Sequence, residues 1–287
     1  MARLDSFRKR RELGPCFFST DMEQTEQLLA FARQCAREAG KIQLAYFRGA
    51  HLNVETKFNL HDVVTVADKE SERYLIDAIA KSYPQHAVLG EESGMHAGHS
   101  DYCWVIDPLD GTTNYSQGLP VFTVSIALQY RGETLLGVVY APYLDEMYEA
   151  CRGRGASLNG HPIRVSTKSE TARSVVATGF PIDKDRNPDN NLDNLSRILP
   201  RVRGVRRMGS AAYDLCSVAA GFLDGYWELN LHEWDVCAGI LIVTEAGGEV
   251  RSFRDDRNIS IVAGNSSMVA QLTACLSDKP WRGNLCV

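Results

Sequence analysis

The sequence predicts a layered α/β protein of the α+β kind, with an antiparallel sheet in its first half and a mixed sheet in its second. Three observations predict it. Residues 122–130, 135–140 and 146–150 alternate apolar and polar side chains in close succession, with Arg131-Gly132-Glu133 as a hairpin turn, the pattern of an antiparallel meander. Two amphipathic helical patterns precede that meander. From residue 174 onward strand-like and helical segments take turns, which marks a layered α/β unit.

Taken in order, residues 1–21 show no periodicity and read as an N-terminal extension, with Met22 as an alternative start of translation. From Glu23 to about Phe47 the residues Leu28, Leu29, Ala32, Cys35, Ala36 and Ala39 recur at three- and four-residue steps, an amphipathic helix that Gly40 interrupts without breaking. Residues 54–58 are strand-like. A polar stretch, 57–68, leads into a second helix with Tyr74, Leu75, Ala78 and Ile79 on its inner face and Pro84 just beyond its end. Residues 86–89 form a short strand running into Gly90-Glu91-Glu92-Ser93-Gly94, and 103–106 form the next.

After the meander, Gly153, Gly155 and Gly160 punctuate a loop-rich hairpin, which places a boundary between halves 22–155 and 156–287. The second half reads as strand 174–178, helix 188–199, strand 206–208, helix 211–222, strand 226–229, helix 234–246 closed by Gly247-Gly248, strand 259–263 and a last helix to about Leu276.

The chain of 287 residues is long enough for one large domain or two closely packed ones. Its net charge of −5 gives no electrostatic case for nucleic acid. No apolar run approaches the roughly 20 residues that span a membrane, so no stable membrane insertion is expected. Arg8-Lys9-Arg10-Arg11 is followed by only a short apolar fragment without a cleavage site, which argues against a secretory signal. The 8 cysteines form no CxxC. They read as free thiols in a reducing compartment, hence a cytoplasmic protein. His86, His96 and His99 lack ligand-like spacing, and the glycines at 153 and 155 open no helix, so neither a histidine metal site nor a dinucleotide fingerprint is present.

The chemistry centres on Trp104-Val105-Ile106-Asp107-Pro108-Leu109-Asp110-Gly111-Thr112-Thr113-Asn114-Tyr115. An apolar strand ends in two carboxylates, Asp107 and Asp110, and then in a turn suited to starting a helix. Hard cations such as Mg²⁺ take oxygen ligands, and a helix start offers N–H groups to a phosphate. Glu91 directly follows a strand and a glycine, and Asp235 begins an apolar helix after His232-Glu233-Trp234. Four acids at the ends of apolar elements suit two or three Mg²⁺ ions, which activate a water and stabilise a leaving alkoxide.

GEESG, WVIDPLDGTTNY and WDVCAGILIVTEAGG, in that order, resemble the three signature blocks of the inositol monophosphatase family of lithium-sensitive, Mg²⁺-dependent phosphatases. The resemblance runs from about Met22 to Leu276. It implies a five-layer αβαβα sandwich and a homodimer, with Mn²⁺ as a substitute metal. Glu91, Asp107 and the carbonyl of Leu109 would bind one ion, and Asp107, Asp110 and Asp235 a second. A third, weaker ion would sit near Glu91, with Asp68 in its outer shell and Lys57 nearby. Thr112 and Glu91 would orient and deprotonate the water, and the amides of Gly111 and Thr112 would hold the phosphate. Asp110, Gly209, Ser210, Ala211, Glu228 and Asp235 match positions that contact substrate. Attack would be in line, without a phosphoenzyme, because no Cys or Asp stands at a dedicated nucleophile position.

Glu91 and Asp107 lie close together in sequence, without the long insertion of relatives that act on inositol polyphosphates. That favours a small phosphomonoester, with inositol monophosphate first, histidinol phosphate second and fructose 1,6-bisphosphate third. The arginines at 201, 203, 206 and 207 are either a solvated face or a receptor for a second phosphate or an inositol-lipid headgroup. In a different class, relatives that bind transcription machinery imply an interaction protein as the alternative to an enzyme.

Overall fold

The computed structural model describes residues 22–49, 52, 54–56 and 63–276. α1 (Met22–Tyr46) buries Leu28, Leu29, Ala32, Cys35, Ala36 and Ala39, the stripe that the spacing predicts. Gly40 sits inside this helix because the neighbouring sheet leaves no room for a side chain: a Cβ there would lie 2.8 Å from the Tyr140 ring. β1 (Glu55–Thr56) pairs antiparallel with β2 (Val63–Val64). α2 (Val66–Ser82) opens on a capping box, in which Asp68 and Thr65 satisfy each other's backbone amides.

β3 (Ala87–Gly90), β4 (Gly94–His96) and β5 (Tyr102–Asp110) follow, then the short α3 (Thr112–Ser116). The meander is β6 (Thr123–Tyr130), β7 (Glu133–Ala141) and β8 (Glu146–Cys151), extended by β9 (Ala156–Leu158) and β10 (His161–Pro162). Together they make an eight-stranded sheet in the order β10-β9-β8-β7-β6-β5-β3-β4. It is antiparallel except for the parallel pair β3–β5, and it continues past residue 155, where the sequence reading sets its boundary.

The second half contains β11 (Val175–Thr178), α4 (Leu192–Ile198), β12 (Gly204–Arg206), α5 (Ala211–Ala219), β13 (Gly225–Leu231), α6 (Glu233–Glu245), β14 (Glu249–Ser252), β15 (Ile259–Gly264) and α7 (Ser266–Thr273). Its five-stranded sheet has the order β12-β11-β13-β15-β14, parallel on one side of β13 and antiparallel on the other.

Three apolar cores stack these elements into five layers. α1 and α2 cover one face of the large sheet through Trp104, Ile106, Val124, Ile126 and Val138. α5 and α6 fill the space between the two sheets, against Val105, Ala127, Val139 and Tyr148 on one side and Ala177, Tyr226, Ile261 and Ala263 on the other. α4 and α7 cover the far face through Val176, Trp227 and Val262. A helix between two sheets has no polar face to show, and α6 buries Val236, Ala238, Leu241, Ile242 and Val243 accordingly. It approaches β7 so closely that a Cβ on Gly137 would lie 2.8 Å from the Cα of Ala238.

Three boundaries differ from expectation for local reasons. The helix expected over 188–199 starts only at Leu192, because Asn191 takes a left-handed conformation (φ 75°) and turns its amide inward. Its Nδ2 donates to Thr178 and to the Gly179 carbonyl, while its Oδ1 accepts from the Trp227 indole. α5 ends at Ala219 and leaves Phe222 exposed. β12 lies at 204–206 rather than 206–208. Among the described residues, no helix is long and apolar enough to cross a membrane, and the cysteines are free.

Candidate active site

The carboxylates predicted for the site arrive from four directions. Glu91 lies just past β3, Asp107 and Asp110 lie on β5, Asp68 lies in the first turn of α2, and Asp235 lies in the first turn of α6. Each aspartate commits one oxygen to holding the backbone. Asp68 Oδ2 accepts from Thr65 N at 2.8 Å, and Asp107 Oδ1 accepts from Leu109 N at 3.0 Å. Asp110 Oδ2 accepts from Ala212 N at 2.7 Å and Ser210 Oγ at 2.6 Å. Asp235 Oδ2 accepts from His232 N at 2.7 Å. For Asp68 and Asp235 the same oxygen also caps a helix, so the contact that orients the carboxylate is part of the local fold.

Thr112 joins the Asp68 branch to the β5 branch. Its Oγ1 lies 2.9 Å from Asp68 Oδ1 and 3.1 Å from the Leu109 carbonyl. Gly111, at φ 98°, turns the chain from β5 into α3, and a Cβ there would meet the Val121 and Gly209 carbonyls. The Gly209-Ser210-Ala211 segment opens α5, with Ser210 as its N-cap through Tyr213 N. Since Ser210 and Ala212 also bind Asp110, the substrate-side segment is tied directly to a candidate metal ligand. Glu228, on β13, completes the wall. Tyr226 donates to its Oε2 at 2.6 Å, and a Cβ on Gly179 would fall 2.0 Å from its Oε1, so residue 179 can carry no side chain while this carboxylate stays in place. Lys57 lies outside the described residues, as do residues 1–21.

Electrostatics mark this as an over-acidic site. Burial pushes the Asp107 carboxyl well above its ordinary range; Glu91, Asp110 and Asp235 push the same way, and Asp107 shares a hydrogen bond with Glu91. Burial, with Asp235 beside it, raises Asp110 to about 8 against the bonds from Ser210 and Ala212. Burial lifts Asp68 to about 6 and Glu228 to about 7. Among the described residues no three acid, histidine or cysteine side chains already form a closed metal cage. The donor set is nonetheless all hard oxygen, and the charges acting most strongly on Asp107 are all negative, so the residues fit a divalent cation such as Mg²⁺.

These raised groups predict an unusual pH dependence in the metal-free protein. Each keeps its proton in the folded state at a pH where the unfolded chain has lost it. The resulting stability is complete below the unfolded carboxylate range, about 4. It is lost as pH rises through about 6 for Asp68 and about 8 for Asp110. In chelator the melting temperature should therefore fall between roughly pH 5 and pH 9, and Mg²⁺ should flatten that fall. A metal-free melting temperature that holds steady or rises over this range contradicts the assigned burial of like charge.

Sequence reasoning missed three residues that position the site. Gln43 of α1, fully buried, donates from Nε2 to the Pro108 carbonyl at 2.6 Å, and its backbone carbonyl accepts from Tyr115 Oη at 2.6 Å. Its signal was a polar side chain four residues after Ala39, on the apolar stripe. Asn114 bridges the Val121 and Met208 carbonyls, joining the β5 turn to the α5 segment. Asp214, buried on α5, has an Oδ1 without a hydrogen-bond partner; nothing in the local pattern distinguishes it from an exposed helical aspartate.

The chain is similar to known proteins along most of its length. A model described as the inositol monophosphatase family matches residues 24–280. Nus factor SuhB of Pasteurella multocida is 43% identical over 262 residues, covering 88% of this chain and 98% of that protein. Inositol-1-monophosphatase of Synechocystis sp. is 39% identical over 277 residues, 93% of each chain. Among solved structures, inositol monophosphatase from Anabaena (Nostoc) sp. matches with a TM-score of 0.79 at 39% identity, over 90% of this chain and 98% of that one.

Proposed function

Since the chain belongs to the inositol monophosphatase family, we propose that it is a Mg²⁺-dependent phosphomonoesterase that hydrolyses inositol monophosphate to inositol and phosphate. The observation that carries this reading is the grouping of Glu91, Asp110 and Asp235 around the buried Asp107, on which all three act as like charges, beside the Thr112–Asp68 hydrogen bond. Glu91, Asp107 and the Leu109 carbonyl would hold one ion, and Asp107, Asp110 and Asp235 a second. A weaker third would lie near Glu91, with Asp68 and Lys57 behind it. When bound, Mg²⁺, or Mn²⁺ in its place, supplies an activated water and neutralises charge on the leaving oxygen.

The chain's own groups do the positioning. The Thr112 hydroxyl donates to Asp68 or to the Leu109 carbonyl, which leaves its oxygen lone pairs to accept a hydrogen bond from the attacking water. Asp68, raised to about 6, and Glu91 are the nearby carboxylates suited to take up the proton. The amides of Gly111 and Thr112 start a helix and so lack intrahelical acceptors, which suits them to phosphate oxygens. Asp110, Gly209, Ser210, Ala211, Glu228 and Asp235 face the leaving group. A cytoplasmic homodimer without nucleic-acid contacts, inhibited by Li⁺, completes the proposal.

Phosphate release with Mg²⁺, with and without Li⁺, tests it on inositol 1-phosphate, histidinol phosphate, fructose 1,6-bisphosphate and a phosphorylated inositol lipid in vesicles. Li⁺-sensitive release, fastest from inositol 1-phosphate, is the expected result; a different preferred ester moves the substrate assignment, and no release from any of them sinks the enzyme. The names of the SuhB relatives support a second reading, an interaction role with the transcription machinery. Pull-down with the Asp235→Asn protein separates that role from turnover, since partner capture by an inactive variant does not depend on catalysis.

A further inference from the structure

We infer that Arg207 is a further substrate-binding residue, pairing with Glu228 as donor and acceptor for adjacent hydroxyls on a neutral leaving group. The inference rests on the phosphomonoesterase reading above. The arginines between 201 and 207 differ in what their side chains bind. Arg201 donates to the Arg197 carbonyl, and Arg206, on the edge strand β12, donates to the Val205 carbonyl. Arg207 instead leans over the candidate site: its Nη1 would lie 2.7 Å from a Cβ placed on Gly209, beside the Asn114 amide. It forms no hydrogen bond or ion pair with the described residues, so its forked N–H donors are uncommitted.

Glu228 stands opposite, fixed from behind by Gly179 and Tyr226. The positive charge of Arg207 acts on Glu228 and on Asp214, in each case drawing the carboxyl down against its burial. No direct ion pair closes within 4.0 Å between Arg207 and either acid. Two opposite charges act on each other without touching, and the same guanidinium acts on the buried Asp214, whose Oδ1 has no hydrogen-bond partner.

A hydroxyl both donates and accepts, so neighbouring hydroxyls can accept from the guanidinium and donate to the carboxylate at once. A second phosphate would meet repulsion from Glu228, and an amine would meet repulsion from Arg207. Removing Arg207 leaves Glu228 and Asp214 without their compensating cation and turns the same wall toward cationic leaving groups.

Arg207→Gln and Arg207→Lys test this, with kcat and KM measured under saturating Mg²⁺ for inositol 1-phosphate, histidinol phosphate and p-nitrophenyl phosphate, which carries no aliphatic hydroxyl. Arg207→Gln should lower the kcat/KM ratio of inositol 1-phosphate to p-nitrophenyl phosphate by about 10- to 100-fold, the scale of a charge-assisted hydrogen bond. The loss should fall on KM, and the ratio of histidinol phosphate to inositol 1-phosphate should rise. Arg207→Lys keeps the charge without the fork and should lie between the two. If Arg207→Gln does not fold, the lysine variant carries the test with a drop of the same sign. Selectivity unmoved in an active variant overturns the inference alone; a wild-type protein inert toward all three esters overturns the phosphomonoesterase reading on which it rests.

Discussion

Asp107→Asn should leave a folded protein with almost no Mg²⁺-dependent phosphatase activity. Asp107 is the acid on which Glu91, Asp110 and Asp235 all act, and its carboxylate would bridge the two principal ions. Losing one electrostatic donor in a water-excluded site costs about 10²–10³-fold in rate, and a bridging ligand should cost at least that. The fold should not suffer, because the asparagine Oδ1 can still accept from Leu109 N. Removing one of four crowded acids also relieves repulsion, so the metal-free variant should melt no lower than the wild type. The Mg²⁺-induced rise in melting temperature should shrink sharply. A variant that kept most of its Mg²⁺-dependent turnover would show that the metal assignment is wrong.

Arg254→Ala should lower stability by about 3 kcal/mol, toward the low end of the range for breaking a buried ion pair. The Arg254 side chain is 3% exposed; its Nη1 donates to Asp189 at 2.8 Å, and its Nε and Nη2 donate to Asp256 at 2.7 Å each. Arg257 also reaches Asp189, at 3.2 Å, and Asp183, at 3.0 Å, so the stranded Asp189 keeps some compensation. Urea unfolding of the metal-free protein measures the loss directly, and a change below about 1 kcal/mol would place this cluster with surface ion pairs. The clasp matters beyond stability. Asp189 leads into Asn191, which holds Thr178, the Gly179 carbonyl and Trp227, and Gly179 backs the Glu228 carboxylate. Loosening it should raise KM more than it lowers kcat.

Legibility in the sequence followed physical range. The alternation of 122–150 and the spacing of Leu28 to Ala39 report burial on one face, which neighbouring residues encode locally, and both elements formed as read. β14, Glu249–Ser252, went unseen because it is an edge strand with two exposed residues and no apolar alternation. Glu91, Asp107, Asp110 and Asp235 were readable as acids at element ends, and Asp68 only through the family resemblance. Their companions were not, since Gln43 reaches Pro108 and Asn114 reaches Met208 across long stretches of chain. Asn191 hid its role in the same way: its left-handed turn serves an indole on another strand rather than the helix it precedes.

The position of α6 between the two sheets has a consequence for how the chain acquires its structure. A fragment ending near residue 155 would present Val105, Ala127, Val139 and Tyr148 to water, because the layer that covers them comes from α5 and α6. The core of the first half is therefore completed by helices of the second. Contacts distant in sequence must close before either sheet has both faces covered, a topology for which slow folding is the expected result. Asp235 reaches Asp107 only when that docking step is complete, so metal affinity would serve as a reporter of the last stage of folding.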